Sequence, residues 1–289
     1  MLKDTPVYRG IALAGMMARE MTRSQSLPRI PEPEPTMEDE VSVEGFHLAG
    51  EALMPVYHFN ALAVSRRTQQ GGTVVDLGSG SGRFLAYLAE VRPDLRIVGM
   101  DLSKAMVKRG QRFLQETGLA ERVSLKLGDM TDFADDFQSP VDMVCSVFAL
   151  HHLPTREHLL RTFKEIKAVR QKFGCAVWLF DLQRPRCPGT PKSFPEILTP
   201  DTPTVFKEDT TNSLNAAWSY REMLDSLAEA GLGESSHRCS PLLRFYQTHW
   251  LESRHSLASG HDRWVAGEGS LAAAQVFEKL KWLLPKDTA

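Results

Sequence analysis

No stretch of this 289-residue chain reaches the roughly 18 consecutive apolar residues that a membrane-spanning helix needs, so no membrane partner is expected. Cysteine is scarce. Cys145, Cys175, Cys187 and Cys239 lie far apart, and no CxxC pair occurs. Neither a disulfide framework nor a zinc ribbon fits that spacing, and free thiols in a reducing cytoplasm are the simplest reading. An excess of one charge sign is missing too. A net charge of −2 gives no general pull toward nucleic acid, which proteins reading phosphate backbones usually show. The phosphate loop GxxxxGK[ST] does not occur.

What is present is ordinary globular usage: 42% hydrophobic and 24% charged residues, enough for a packed core. The length suits one elaborated domain or two small ones. Segment 11–18 (IALAGMMA) follows Lys3 and Arg9 as a signal peptide would, but its apolar core is short and Arg19-Glu20 follow where small residues should mark cleavage. It reads as a short amphipathic helix. The stretch PRIPEPEPTMEDE at 28–40 is proline-rich and acidic. It has little apolar surface to bury, so residues 1–42 are expected to be a flexible tail and linker. The domain proper is expected at 43–255, opening with a helical lid at 43–70 in which Pro55 starts or kinks a helix.

A regular alternation follows. TVVDL (73–77), RIVGMD (96–101), VSLKLG (123–128), VDMVCSVF (141–148) and CAVWLFD (175–181) read as strands. Helical segments at 82–90, 103–117 and 155–172 separate most of them, with Ser103 and Thr155 as N-caps. Such alternation indicates an α/β fold, doubly wound, with helices on both faces of a parallel sheet. Segment 183–209 holds six prolines and no period. It is too long for a plain connection and reads as a functional loop or cap, extending to 215. A helix at 216–230 ends at Gly231, and short runs at 236–240 and 245–250 suggest a closing antiparallel pair. Residues 256–289 are expected to form a C-terminal extension with an amphipathic helix at 271–284.

The most informative line is VVDLGSGSGRF (74–84), with glycine at 78, 80 and 82. A strand precedes it and a helix follows. In an open parallel sheet, that turn faces the ligand. A dinucleotide fingerprint GxGxxG/A needs a small residue at position 83, where Arg83 stands instead. The second strand ends in Asp101, where a carboxylate can grip a ribose diol. The third ends in Gly128-Asp129-Met130. Taken singly, Asp101 and Asp129 read equally well as helix caps or turn formers.

Together VVDLGSGSG, IVGMDLS, LKLGDMTDF and VCSVFALHHLP resemble the class I S-adenosylmethionine-dependent methyltransferases, over about 73–181 and in that family's order. The resemblance implies a Rossmann-like seven-stranded sheet, mostly parallel with an antiparallel last strand. It implies S-adenosylmethionine as cofactor. Asp76, Gly78, Ser79 and Gly80 would lie along its methionine part, Asp101 at the ribose, and Leu102 and Met106 beside the adenine. Gly128, Asp129 and Met130 would meet the adenine edge, with Ser146 and Phe148 framing the methionine end.

Methyl transfer needs an acceptor held in line, and a place for its proton. His151 and His152 stand at the rim of the fourth strand. Imidazole titrates near pH 6.5, so His151 is the candidate proton acceptor and His152 an acceptor contact. Both could equally cap or pack under the following helix. A neighbouring histidine pair without a third ligand is poor grounds for a metal, and Asp181 is the one carboxylate evidently near, so none is expected. Tyr57 and His58 on the lid are further candidates, against a plain half-buried helix face. Arg184 in DLQRP and Asn212 in NSLNAAW complete the substrate set; these two motifs are similar to methyltransferases related to the quinone-biosynthesis C-methyltransferases. Arg184 could instead bridge carboxylates.

The cap residues Phe194, Ile197, Leu198, Val205 and Phe206 suggest a partly apolar pocket and a small-molecule acceptor. Nucleic acid is disfavoured, because the Asn-Pro-Pro-Tyr type of tetrapeptide of DNA amino-methyltransferases is absent. Alternatives are methylation of a peptide, protein or RNA, a thiol-dependent reaction through Cys187, or a subunit that binds the cofactor without turnover. Oligomeric state is not legible.

Overall fold

A computed structural model describes residues 6–34, 36–240 and 244–255, with Gln275, Glu278, Leu284 and Pro285 beyond them. Apart from Gln275, Glu278 and Leu284, the helix expected at 271–284 lies outside the described residues. Seven strands form one sheet: β1 (Thr73–Leu77), β2 (Arg96–Asp101), β3 (Val123–Leu127), β4 (Met143–Val147), β5 (Ala176–Leu182), β6 (Ser236–Cys239) and β7 (Tyr246–Leu251). Their order is β3-β2-β1-β4-β5-β7-β6. β1 to β5 pair in parallel, while β7 runs antiparallel to both β5 and β6. The chain therefore winds outward from β1 in both directions. That reversal opens a crevice beyond the carboxyl ends of β1 and β4.

Every residue of β5 is buried. Ala176, Trp178, Phe180 and Leu182 face one core layer, and Val177 and Leu179 the other. This is the two-sided burial that makes central parallel strands read as unbroken apolar runs. The helices α4 (Arg83–Val91), α5 (Lys104–Glu116) and α6 (Arg156–Phe173) connect the strands as expected. Ser103 and Thr155 cap α5 and α6 by accepting from Met106 N and His158 N. Ahead of the sheet, α2 (Glu40–Ala49) and α3 (Met54–Arg67) are joined by one tight turn, with Pro55 in the first turn of α3. Pro55 thus starts a helix, where its missing N–H costs nothing.

Two expectations are corrected. The first is the mobile tail. Residues Pro6–Met21 form α1, with Met16 fully buried, and the chain after it lies against the domain. Glu20 accepts from Arg186 N at 2.8 Å, Cys187 N at 3.0 Å and Thr190 Oγ1 at 2.5 Å. Arg29 donates to the carbonyls of Ala216, Pro154, His151 and Leu153 at 2.6–3.0 Å and lies 3.7 Å over the Trp218 ring. Glu38 accepts from Lys104 N and Ala105 N at the start of α5. Apolar content underestimated this segment, because its charged groups satisfy helix ends and loose carbonyls, and its prolines lower the entropy lost on ordering.

The second is the cap, which is mainly helical: α7 (Thr190–Leu198) and α8 (Thr204–Ala216). Pro191 sits in the first turn of α7 and Pro203 is the residue before α8. Prolines at those positions punctuate helices rather than exclude them. The helix expected at 216–230 is shorter, α9 (Tyr220–Glu229), and opens with a capping box of Ser219 and Glu222. No helix among the described residues is long and apolar enough to cross a membrane.

Candidate active site

A cavity of about 650 Å³ opens at the carboxyl ends of β1, β2 and β4. Its floor is the turn after β1. Gly78 N and Ser79 N both donate to Met100 O, at 2.8 and 3.0 Å, which pins the turn to β2. Gly78, Gly80 and Gly82 have φ of +73°, +53° and +74°. Gly78 also has no room for a side chain: a Cβ there would stand 2.2 Å from that of Ala149. Arg83, which broke the dinucleotide pattern, turns its side chain over Gly50 and pairs with Glu51.

The carboxylates lie as the sequence suggests. Asp101 accepts from Gly80 N at 2.7 Å and Ser103 N at 2.9 Å, one bond to each oxygen. Each oxygen keeps a further lone pair, and the residue lines the cavity. Burial pushes its carboxyl above the ordinary range. Asp129 accepts from Thr131 N at 2.8 Å and lines the same rim with Gly128, Met130, Leu102 and Met106. Ser79 Oγ is buried without a hydrogen-bond partner. A glycine floor, free acceptors spaced around a cavity and an apolar edge fit a nucleoside with a polar amino-acid tail. Ser146 does not reach it. Its hydroxyl donates to Leu77 O at 2.9 Å and it tethers β4 to β1 instead. Phe148 lines the cavity with φ of 58°, strain typical of a strand end built for a site.

Asp76 lines the cavity beneath the loop, and burial pushes its carboxyl up to about 8. In the unfolded chain it titrates near about 3.9. A carboxyl whose folded pKa is raised contributes stability that is full below about pH 4 and is lost as pH rises toward about 8. Asp76→Asn removes that term. We expect the variant to gain in melting temperature relative to the parent as pH increases across this window. Parallel curves would show Asp76 to be charged in the folded state.

The other end of the cavity holds the histidines. His151 Nδ1 lies 2.6 Å from Asp181 Oδ1, and Asp181 also accepts His151 N at 3.0 Å and Leu182 N at 2.7 Å. Three donors on an acid that is 2% exposed describe a carboxylate. That places the proton on Nδ1 and leaves the Nε2 lone pair free. His152 contacts Glu32, which sequence reasoning missed. Burial opposes charge on His152, but the bond to Glu32 raises it to about 9. Burial likewise opposes charge on Glu32, yet His152 and the Ser213 hydroxyl at 2.7 Å hold it at about 2. Asp209, also missed, is pushed up to about 6 by burial. The only signal for Glu32 was a carboxylate among prolines stiff enough to hold it.

Other substrate candidates divide. Tyr57 and Asn212 line the cavity. His58 does not: its Nδ1 meets Tyr87 Oη at 2.7 Å on another side of α3. Arg184 is engaged elsewhere too, donating to both oxygens of Glu222 at 2.8 and 2.9 Å and to Ala217 O. The bridging alternative describes it. Of the cap residues, Phe194, Leu198 and Phe206 line the cavity with Phe148, Leu182 and Tyr246. Val205 is exposed and Ile197 packs on the core. Cys187 Sγ turns to Arg19 O, away from the cavity.

A family model described as "Methyltransferase domain" matches residues 74–174. The chain is 28% identical over 138 residues to erythromycin 3''-O-methyltransferase of Saccharopolyspora erythraea, covering 47% of this chain and 45% of that protein. It is 28% identical over 108 residues to a tocopherol O-methyltransferase assignment from Oryza sativa subsp. japonica, covering 37% and 29%. These matches span less than half the length of either relative. A SAM dependent methyltransferase from Aquifex aeolicus shares the fold, with a TM-score of 0.52 at 17% identity over 74% of this chain and 98% of that one. The glycine floor, the carboxylate rim and the order of the four motifs all fall within or beside the matched segment: residues 74–174 are a methyltransferase domain of class I, the S-adenosylmethionine-dependent kind.

Proposed function

We propose that this protein transfers a methyl group from S-adenosylmethionine to an oxygen of a small, partly apolar acceptor. The observation that carries this reading is one cavity running from the glycine floor and Asp101 to the chamber of Glu32, His151 and Asp209, walled by aromatic residues of α7 and α8. The roof made by the cap and residues 32–34 and 36–39 favours a small acceptor over a folded polymer. The O-methyltransferase relatives favour oxygen. The four unbridged cysteines suit the cytoplasm.

The cofactor supplies a methyl group already activated on a sulfonium. Gly78 to Gly80, Asp101 and Asp129 are the residues that would hold it. Bound there, it would give that methyl to the acceptor's oxygen, with the electron pair of the carbon–sulfur bond going to sulfur. His151 Nε2 receives the proton that the oxygen loses. Asp181 fixes the tautomer and stabilises the imidazolium that results. Phe148, Phe194, Phe206 and Tyr246 hold the acceptor's apolar part and exclude water.

Calorimetric titration with S-adenosylhomocysteine tests the first half. Asp101→Ala is expected to weaken binding by about 1.5–3 kcal/mol, the range for hydrogen bonds to a charged group. No binding by the parent, or parental affinity in the variant, sinks the assignment. Incubation with labelled S-adenosylmethionine and a panel of amphipathic alcohols and phenols tests the second. Binding without turnover across the panel favours a non-catalytic subunit.

A further inference from the structure

Two adjacent histidines and one carboxylate, more than a hundred residues apart in the chain, converge at the acceptor end. One donor atom from each of Glu32, His151 and His152 lies within 4.8 Å of the others, and among the described residues this is the one such trio of potential ligands. His151 Nε2 stands 3.9 Å from Glu32 Oε1. That is too long for a hydrogen bond. Two donors about 2.0–2.2 Å from one tetrahedral ion stand about 3.3–3.6 Å apart, so the pair needs to close by only a few tenths of an ångström to share one.

The surroundings are those of a prepared site. Asp181 accepts a hydrogen bond from His151 Nδ1 and aims Nε2 at the chamber, the carboxylate–imidazole arrangement that orients a metal-binding histidine. Ser213 donates to Glu32 Oε1 and fixes that carboxylate. Asp181 and Asp209 place two more carboxyl groups around the trio, the first bonded to His151 and the second lining the same cavity. Arg29 holds the chain before Glu32 against the carbonyls of His151 and Leu153, and Glu38 holds the chain after it to the start of α5, so the third donor is anchored on both sides. The histidine pair alone gave no reason to expect a metal, because the third donor comes from a segment that reads as a tail.

We propose that Glu32, His151 and His152 form a binding site for a divalent transition-metal ion, with zinc the ion best matched to its donors. Two imidazoles and one carboxylate suit zinc and its neighbours, whereas magnesium and calcium take oxygen ligands. The fourth position opens on the cavity. The contact between His152 and Glu32 parts to admit the ion, and the proton on His152 leaves. The consequence for catalysis rests on the reading of this chamber as the acceptor end: the ion and the acceptor's proton compete for the same nitrogen of His151.

The test is a calorimetric titration of the full chain with zinc after chelator treatment, without acceptor, beside a titration with S-adenosylhomocysteine. The expected result is a single zinc site with proton release that scales with buffer ionisation heat. Cobalt in place of zinc should give the visible absorption of a four- or five-coordinate ion. Glu32→Gln and His152→Gln should each weaken zinc binding at least tenfold, and Asp181→Asn about 10–100-fold, the effect usual for an orienting partner. Glu34→Gln, on the same segment outside the trio, should leave it unchanged. Parental S-adenosylhomocysteine affinity in these variants certifies their folding. Absence of zinc binding by the parent, or parental zinc affinity in Glu32→Gln, overturns the proposal. Zinc binding without S-adenosylhomocysteine binding removes the methyl-transfer reading and leaves the metal site standing; the reverse result does the opposite.

Discussion

His151→Ala is expected to lower kcat by about 10²–10⁴-fold, the usual contribution of a positioned proton acceptor. Affinity for S-adenosylhomocysteine should stay near that of the parent, because the imidazole acts only when the acceptor loses its proton. The geometry sets this split. His151 is 3% exposed, and Asp181 grips both its ring and its backbone N–H. The free Nε2 lone pair faces the acceptor end, while the glycine floor and Asp101 lie at the cofactor end of the same cavity. Asp181→Asn supplies an independent check. It keeps the shape but can present a donor to Nδ1, which moves the proton to Nε2 and blocks acceptance. It should therefore reduce kcat nearly as far as the alanine variant. Unchanged kcat in both variants would mean that the acceptor leaves its proton elsewhere, with Asp209 the next group to examine.

The second large effect is expected at Gly78. In Gly78→Ala, the new Cβ must occupy a point 2.2 Å from Ala149 Cβ and 3.1 Å from Met130 Cε, on a backbone at φ +73°. Left-handed strain of roughly 1–2 kcal/mol adds to overpacking of about 1–3 kcal/mol. The turn can relieve both only by breaking its two bonds to Met100 O, which moves the floor of the cavity. We expect a loss of about 2–5 kcal/mol in stability, and S-adenosylhomocysteine affinity falling with it. Gly71→Ala is the matched control. Gly71 has φ +70° with nothing within 4 Å of an added Cβ, so it carries the strain without the collision. Thermal melts and calorimetry on the two variants separate these causes. Equal effects at both positions would show that close approach at Gly78 is unimportant.

Much of the domain was legible because its signals are local. Each of the five parallel strands is an apolar run of strand length, closed by glycine, proline or a capping residue, and each formed within a residue or two of its expected bounds. The DxGxGxG turn, Asp101 and Asp129 were readable for the same reason. Their places follow from standing at the carboxyl ends of consecutive strands, and a parallel sheet puts all such residues on one rim. His151 was nominated on that logic, and Asp181 stands at the end of the neighbouring strand.

The acceptor end was not legible in that way. Glu32 reached it from a proline-rich acidic stretch, whereas His58 and Arg184 pointed elsewhere. Ser146 sat in the right strand but faced Leu77. These outcomes turn on one bond rotation or one long-range contact. Local patterns, being sums over neighbours, carry no record of them.

The sequence alone determined the sheet, its winding and the rim of glycines and carboxylates, since hydrophobic periodicity and glycine steric freedom act over a few residues. Only the tertiary structure decided that the N-terminal segment is part of the site, that the proline-rich cap is helical, and which carboxylates surround the two histidines. The reason is physical: a buried charge is stable only beside its partner, and partners such as Arg29 with Ala216 O, or Glu32 with Ser213, are brought together by the fold from positions 187 and 181 residues apart.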